Sequence, residues 1–344
     1  MPTRDELKQM QSLPLDIKIL KTKARIKEWV DYYGEDNVYI SFSGGKDSTV
    51  LLDITRQEYP NMKAVFVNTG LEYPEIQSFV RTFDNVEILR PSMRFDEVIK
   101  KYGYPFISKE VANTVRLAKL ALKTGKASYI TRLARINGTA INEKGQKSIF
   151  NHEKYKPLMD VDFELSDQCC DVMKKKPTKA IKKAQLVATM TEESLLREKM
   201  WIVTGCNAWK SGKSKPMSFW TEQDVLQYIK TKDLPIASVY GDIVEVGSDD
   251  INQITFEGCG KLKCTGCKRT GCIFCGFGAH LDKKDGNETR FERLKRTHPK
   301  QYDYCMGGGE YNEQGIWQPS KQGLGMAHCI DELNKIYGKD FIKY

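Results

Sequence analysis

Several absences narrow what this chain of 344 residues is. Nowhere do eighteen apolar residues run together, which excludes a conventional membrane-spanning helix. The first residues, Met1, Pro2, Thr3, Arg4, Asp5 and Glu6, hold no apolar core of a secretory signal, so a cytoplasmic protein with no membrane partner is expected. Internal repeats and low-complexity tracts are missing, which sets aside solenoids and disordered linkers. Without a secretion signal, the ten cysteines are poor candidates for a disulfide framework and better ones for metal or redox chemistry.

What remains is an ordinary globular composition, 40% apolar and 29% charged, with length for about two domains. The formal charge of +9 favours an anionic partner and hints at nucleic acid.

The chain is organised around one stretch. An apolar run from Val38 through Tyr39 and Ile40 to Ser41 and Phe42 breaks into Ser43-Gly44-Gly45-Lys46-Asp47-Ser48 and resumes as Val50, Leu51 and Leu52. That pattern predicts strand, loop and helix. Two glycines let the backbone approach an anion, a helix start aims amides and its positive dipole end at it, and Ser43, Lys46 and Ser48 add donors. The physics asks for a phosphate. The spacing is not that of the Walker loop, which needs four residues between its first glycine and Gly-Lys.

Further along, Leu20, Ala24, Ile26, Trp29 and Val30 predict an amphipathic lead-in helix. Residues 64–67 read as a fully buried parallel strand and 86–89 as a third strand, Pro74 suits a helix start, and Asn68, Thr69 and Gly70 fall at a strand end. Residues 200–203 read as another buried strand, followed by Thr204 and Gly205, and Thr221 with Asp224 caps a helix. Alternating strands and helices predict an α/β fold with a doubly wound parallel sheet whose ligands sit beyond the carboxyl ends of its strands. Residues 109–160 form a basic helical insertion with Val111, Val115, Ala118 and Leu122 as its buried stripe. Its cations read either as a solvated face or as a surface for nucleic acid or a phosphorylated substrate. The expected division is a helical lead-in over 1–35, a nucleotide-binding domain over 36–240 and a cysteine-rich metal-binding region with a tail over 241–344.

The loop resembles the SGGKDS signature of the ATP pyrophosphatase superfamily, all six residues matching. Residues 67–75, with Asn68 where aspartate is commoner, resemble the corresponding segment of the phosphoadenylyl sulfate (PAPS) reductase family, as does the order Thr204-Gly205, Phe219-Trp220-Thr221, Leu234-Pro235. The resemblance implies nucleotide binding by Ser41, Phe42, Ser43, Gly44, Gly45, Lys46, Asp47, Ser48, Asn68, Thr69, Gly70, Thr204 and Gly205, with Lys46 and Asp47 catalytic. Adjacent Cys169 and Cys170 followed far downstream by Cys272 and Cys275 resemble the arrangement that holds a [4Fe-4S] cluster in adenylyl sulfate (APS) reductases. A zinc site built from Cys264, Cys267, Cys272 and Cys275 competes, and Cys259, Cys264 and Cys267 are further candidate ligands.

Three functions follow as expectations. The first is an ATP-using enzyme with Mg2+ that adenylates an acceptor and passes it sulfur from a donor, as in tRNA or DNA thiolation. The second is an APS or PAPS reductase served by a thioredoxin-like protein. Against it, the family's tail motif Glu-Cys-Gly-x-His is replaced by Ala327, His328, Cys329 and Ile330, and its sulfate-holding arginines by lysines at 210, 213 and 215. The third is a non-catalytic nucleotide-binding or nucleic-acid-binding iron–sulfur protein.

Overall fold

In the computed structural model, residues 2–246, 260–285 and 288–344 are described, with backbone alone at 283–285. The chain divides into two compact units. The first comprises Met1–Asn68, Glu72–Arg90 and Thr178–Thr270; the second comprises Thr69–Leu71, Pro91–Pro177 and Gly271–Tyr344.

The first unit carries a six-stranded sheet made of β1 (Val38–Ser41), β2 (Ala64–Val67), β3 (Val86–Leu89), β4 (Ala184–Val187), β5 (Asn207–Ala208) and β6 (Lys213–Ser214). Its order is β3-β2-β1-β4-β6-β5, and every pairing is parallel except the edge pair β5 and β6. Val38, Ile40, Ala64, Val65 and Leu186 are buried, as strands covered on both faces require. From β1 the chain steps outward to β2 and β3, then returns to β4 on the other side. The order therefore reverses at β1, and the crevice at such a reversal is where α/β sheets receive ligands. The expected α/β class with a mostly parallel central sheet is what the chain forms.

Helix Leu15–Tyr33 buries Ile26, Trp29 and Val30 but leaves Leu20 exposed and buries Lys18 instead. Lys18 tolerates burial because its ammonium meets Asp224 Oδ2 and the Gln11 carbonyl, both at 2.6 Å. Asp224 in turn accepts from the Thr221 amide, closing the predicted capping box of helix Glu222–Lys232.

Residues 200–203 are not a strand. They lie inside helix Leu195–Thr204, whose start is capped by Ser194 accepting from the Arg197 amide at 3.3 Å. Leu195, Leu196, Met200 and Val203 are exposed, so this apolar run marks no sheet interior. A short apolar run does not distinguish a strand from a helix, and the serine cap decided it.

The second unit packs helices Lys109–Thr124 and Ala127–Ile136 against each other and against the turn Glu153–Met159. Val111, Val115 and Ala118 are buried as expected, while Leu122 is exposed and Ala121 takes its place. A two-stranded parallel pairing joins Phe106–Ile107 to Gly276–Phe277, and helix Met326–Tyr337 buries Cys329, Ile330 and Leu333. Among the described residues no helix is long and apolar enough to cross a membrane.

Candidate functional site

The loop at residues 43–48 leaves the end of β1 and becomes the first turn of helix Lys46–Glu58. Gly44 has φ +70°, and a Cβ there would lie 2.7 Å from Val80 Cγ2 and 2.8 Å from Ile76 Cγ2, so only glycine passes. Gly45, the residue before the helix, contributes no side-chain cap, which leaves the helix start to other partners. Ser43 and Ser48 tie the loop to itself: their hydroxyls are 3.0 Å apart, and the Ser43 amide donates to Ser48 Oγ at 3.2 Å. Phe42 anchors it from beneath, edge-on to Phe83.

Lys46 is buried, yet its ammonium lies 3.0 Å from Asp47 Oδ1 and 3.4 Å from Glu222 Oε1. Burial works against its charge, but Asp47 and Glu222 outweigh that cost and raise its pKa. The Lys46 amide donates to Tyr240 Oη at 3.2 Å, and that phenol meets Thr270 Oγ1 at 2.7 Å. Arg197 adds a further cation. Burial first and then the like charge of Arg269 lower its pKa, against the attraction of Asp47. Glu193 pairs with Arg197 and lies 3.7 Å from Arg269. Such a group of backbone donors and cations at a helix start suits a polyanion such as a nucleotide phosphate chain.

Tyr240, Glu222, Arg197 and Arg269 had no signal as site residues, because each arrives from a distant segment with no motif of its own. Among the expected nucleotide residues, Ser41, Phe42 and the six loop residues are contiguous. Asn68 directly follows β2, and its backbone amide donates to the Leu89 carbonyl at 2.8 Å. Thr69 Oγ1 accepts from the Leu71 amide at 3.2 Å, and Gly70 takes φ +75°. Thr204 and Gly205 line a different groove, with Pro2, Glu6, Arg25 and Trp209, and no loop residue takes part in it.

The second constellation lies wholly within the second unit. Cys169, Cys170, Cys272 and Cys275 line one small pocket walled by Leu71, Phe95, Pro105 and Met173, with Lys174 beside them. Cys169 and Cys170 hold their sulfurs 4.0 Å apart at the start of a wide helical turn, Asp171–Lys175. The hydrogen bond from Cys169 lowers the Cys170 thiol below the ordinary range, and Lys109 and Lys174 add to this against the cost of burial. Cys169 is pushed the other way by the same bond and by burial. Burial raises Cys275. Lys109 keeps its charge above the ordinary lysine value because Cys170 draws it against the opposing effect of burial.

Four thiols, apolar walls and neighbouring ammonium groups are the donor set that a thiolate-bound iron–sulfur cluster needs. Among the described residues, however, no group of three or more His, Cys, Asp or Glu side chains is closed around a metal position. Of the other candidates, Cys264 and Cys267 are buried in the first unit, and Cys259 lies outside the described residues.

A loop of this kind, at the end of a central parallel strand where the order reverses, places the chain among the α/β proteins whose ligand crevice lies at that point of the sheet. A family model, phosphoadenosine phosphosulfate reductase domain, matches residues 37–121 and 127–276, and the chain belongs to that family. An adenosine 5'-phosphosulfate reductase of Staphylococcus epidermidis is 26% identical over 213 residues, 61% of this chain and 68% of that protein. One from Oceanobacillus iheyensis is 25% identical over 236 residues, 67% of this chain and 75% of that one. A phosphoadenosine 5'-phosphosulfate reductase of Gloeobacter violaceus is 22% identical over 249 residues, 72% and 78% respectively. Among solved structures, a PAPS reductase from Candida auris aligns over 69% of this chain and 91% of its own, with 14% identity and a TM-score of 0.35.

Proposed function

We propose that this chain is an oxidoreductase acting on a sulfated adenine nucleotide, adenylyl sulfate or phosphoadenylyl sulfate, whose phosphate rests on the loop at 43–48. One observation carries the reading. The family match takes in both the loop and all four pocket cysteines, ending one residue beyond Cys275. The relatives' names, reductases of these two nucleotides, favour this reading over ATP adenylation.

In the proposed reaction a thiolate of a thioredoxin-like donor attacks the sulfate sulfur, the S–O bond to the nucleotide breaks, and the nucleotide leaves with the electron pair. The donor's second thiol then attacks the sulfur of the first, releasing sulfite and leaving a donor disulfide that accounts for the two electrons. Lys46, Arg197 and the loop amides would steady the phosphate of the leaving group. Cys169, Cys170, Cys272 and Cys275 would hold a [4Fe-4S] cluster, which when bound supplies a charged, redox-capable centre to their pocket.

A different observation favours a second reading. Cys329, the tail cysteine in the place of the family's nucleophile, is fully buried, and burial raises its thiol far above the ordinary range. A reaction in which no thiol attacks a sulfate would use ATP and Mg2+: an acceptor oxygen of a tRNA or DNA base attacks the α-phosphorus, pyrophosphate leaves from the loop, and a donor's sulfur then displaces AMP.

The test is anaerobic purification with iron and sulfide analysis, followed by two assays. Sulfite released from either sulfated nucleotide with reduced thioredoxin supports the reductase. Pyrophosphate released from ATP without sulfite release supports the second reading. Nucleotide bound but never cut would leave a non-catalytic iron–sulfur binding protein. Zinc in place of iron would sink the cluster assignment.

A further inference from the structure

The positive charge of the chain is not spread evenly. Residues 109–160 hold eleven Lys and Arg against four Asp and Glu, a surplus of seven, where the whole chain has +9. The second unit folds this stretch into helix Lys109–Thr124, a left-handed Gly125 corner and helix Ala127–Ile136, followed by an exposed turn at 142–147. Acidic partners neutralise only part of the surplus: Arg116 pairs with Asp167, Lys119 with Glu164 and Lys147 with Glu153. Lys123, Lys126, Arg132, Arg135, Lys144 and Lys156 have no ion-pair partner among the described residues.

The same stretch exposes apolar side chains: Ile130, Ile141, Ile149 and Phe150 all face solvent, Ile149 with 90% of its surface free. A purely solvated face would not carry them. The Arg135 guanidinium lies over the Phe150 ring, 5.2 Å from its centroid, and the His152 amide donates to the Arg135 carbonyl at 2.8 Å, which fastens this segment along the helix. An exposed aromatic ring paired with a guanidinium plane is a platform on which an unpaired base stacks, and the surrounding lysines and arginines match a phosphate backbone. On helix Ala127–Ile136 only Ile130 among the large apolar residues is exposed, so it offers no continuous apolar face for a membrane surface.

We propose that residues 109–160 form a docking face for RNA, with cations on the phosphates and Phe150, beside Arg135, receiving an unpaired base. This does not rest on the reaction proposed above, since either reaction leaves the face unused or supplied with an RNA substrate.

The test is fluorescence anisotropy of the full chain with four probes: a labelled 20-nucleotide single-stranded RNA, its duplex, the same sequence as single-stranded DNA, and phosphatidylserine vesicles. The variants are Lys123→Glu/Lys126→Glu/Arg132→Glu/Arg135→Glu and Phe150→Ala, each checked by circular dichroism and by nucleotide binding at the loop. If the fourfold reversal does not fold, Arg132→Gln/Arg135→Gln replaces it. The expected result is tightest binding to single-stranded RNA, with log affinity falling against log salt by roughly 0.7 per phosphate contacted. The fourfold reversal should lose at least about tenfold and show a shallower salt slope, and Phe150→Ala about tenfold. Nucleotide binding should stay unchanged. Absence of RNA binding, binding indifferent to the reversal, equal affinity for duplex or DNA, or preference for vesicles would each overturn the proposal.

Discussion

Lys46 keeps its ammonium 3.0 Å from Asp47 Oδ1 with only 4% of its side chain exposed, a buried cation held by its own chain neighbour and seconded by Glu222. Two carboxylates neutralise it when no anion is present. A phosphate bound as proposed would compete with Asp47 and Glu222 for the same ammonium. Replacing Lys46 by Met removes one charge-assisted hydrogen bond, and nucleotide affinity is expected to fall by roughly 10–100-fold. Isothermal titration with ATP and with adenylyl sulfate reads this directly; an unchanged dissociation constant for both would remove Lys46 from the site.

The loop's shape depends on Gly44. An alanine there meets Val80 and Ile76 at under 3 Å and inherits a left-handed backbone, φ +70°. Gly44→Ala is expected to cost roughly 1–3 kcal/mol in stability. Because the displaced backbone belongs to the loop proposed to cradle the phosphate, nucleotide binding should weaken along with the melting temperature. Thermal melts with and without saturating nucleotide separate the two effects, and a variant that melts and binds like the parent would show that the loop relaxes freely.

Much of this was legible before the structure. Residues 43–48 combine a local pattern with a local cause, since a strand end, two glycines and a helix start are all written in contiguous residues. Parallel strands at 64–67 and 86–89 were equally plain, because short β-branched runs bounded by turns leave few alternatives, although only the first is buried. What distance brings together was not legible. Tyr240 reaches the Lys46 amide across 194 positions, and Arg197 sits on a helix that reads as a strand because its apolar residues are adjacent rather than spaced. The exposed Leu122 shows the same limit on a smaller scale, since helical spacing alone does not say where the partner surface ends.

Asp167 fixes the approach to the cysteine pair. It accepts from Arg116 Nε at 3.0 Å and from Asn113 Nδ2 at 3.1 Å, joining helix Lys109–Thr124 to the segment that enters Cys169. Burial pushes its carboxyl up, but Arg116 and the hydrogen bonds from Gln168 and Arg116 pull it below the ordinary aspartate value. A depressed carboxylate stabilises the fold fully above its unfolded pKa, and this contribution is lost as pH falls through the folded value. Asp167→Ala should cost roughly 1–3 kcal/mol at pH 7 and much less in acid below that value. Urea melts at the two pH values test it, and an equal loss at both would mean that charge plays no part.

Cys329 carries the sharpest consequence for the reaction. Its thiol lies fully buried in helix Met326–Tyr337, with the Tyr104 hydroxyl beside it, and burial keeps it protonated at neutral pH. A nucleophile has to be a thiolate and has to reach its target. The folded protein is therefore expected to leave Cys329 unlabelled by iodoacetamide under conditions that label it fully in urea, as mass spectrometry of the tail peptide would record. Cys329→Ala should lower stability by about 1–2 kcal/mol through lost packing while leaving turnover of either nucleotide within twofold. If the alanine variant instead stops sulfite release at unchanged stability, helix Met326–Tyr337 must open during the cycle. The tail would then be the source of the attacking thiol despite its altered motif.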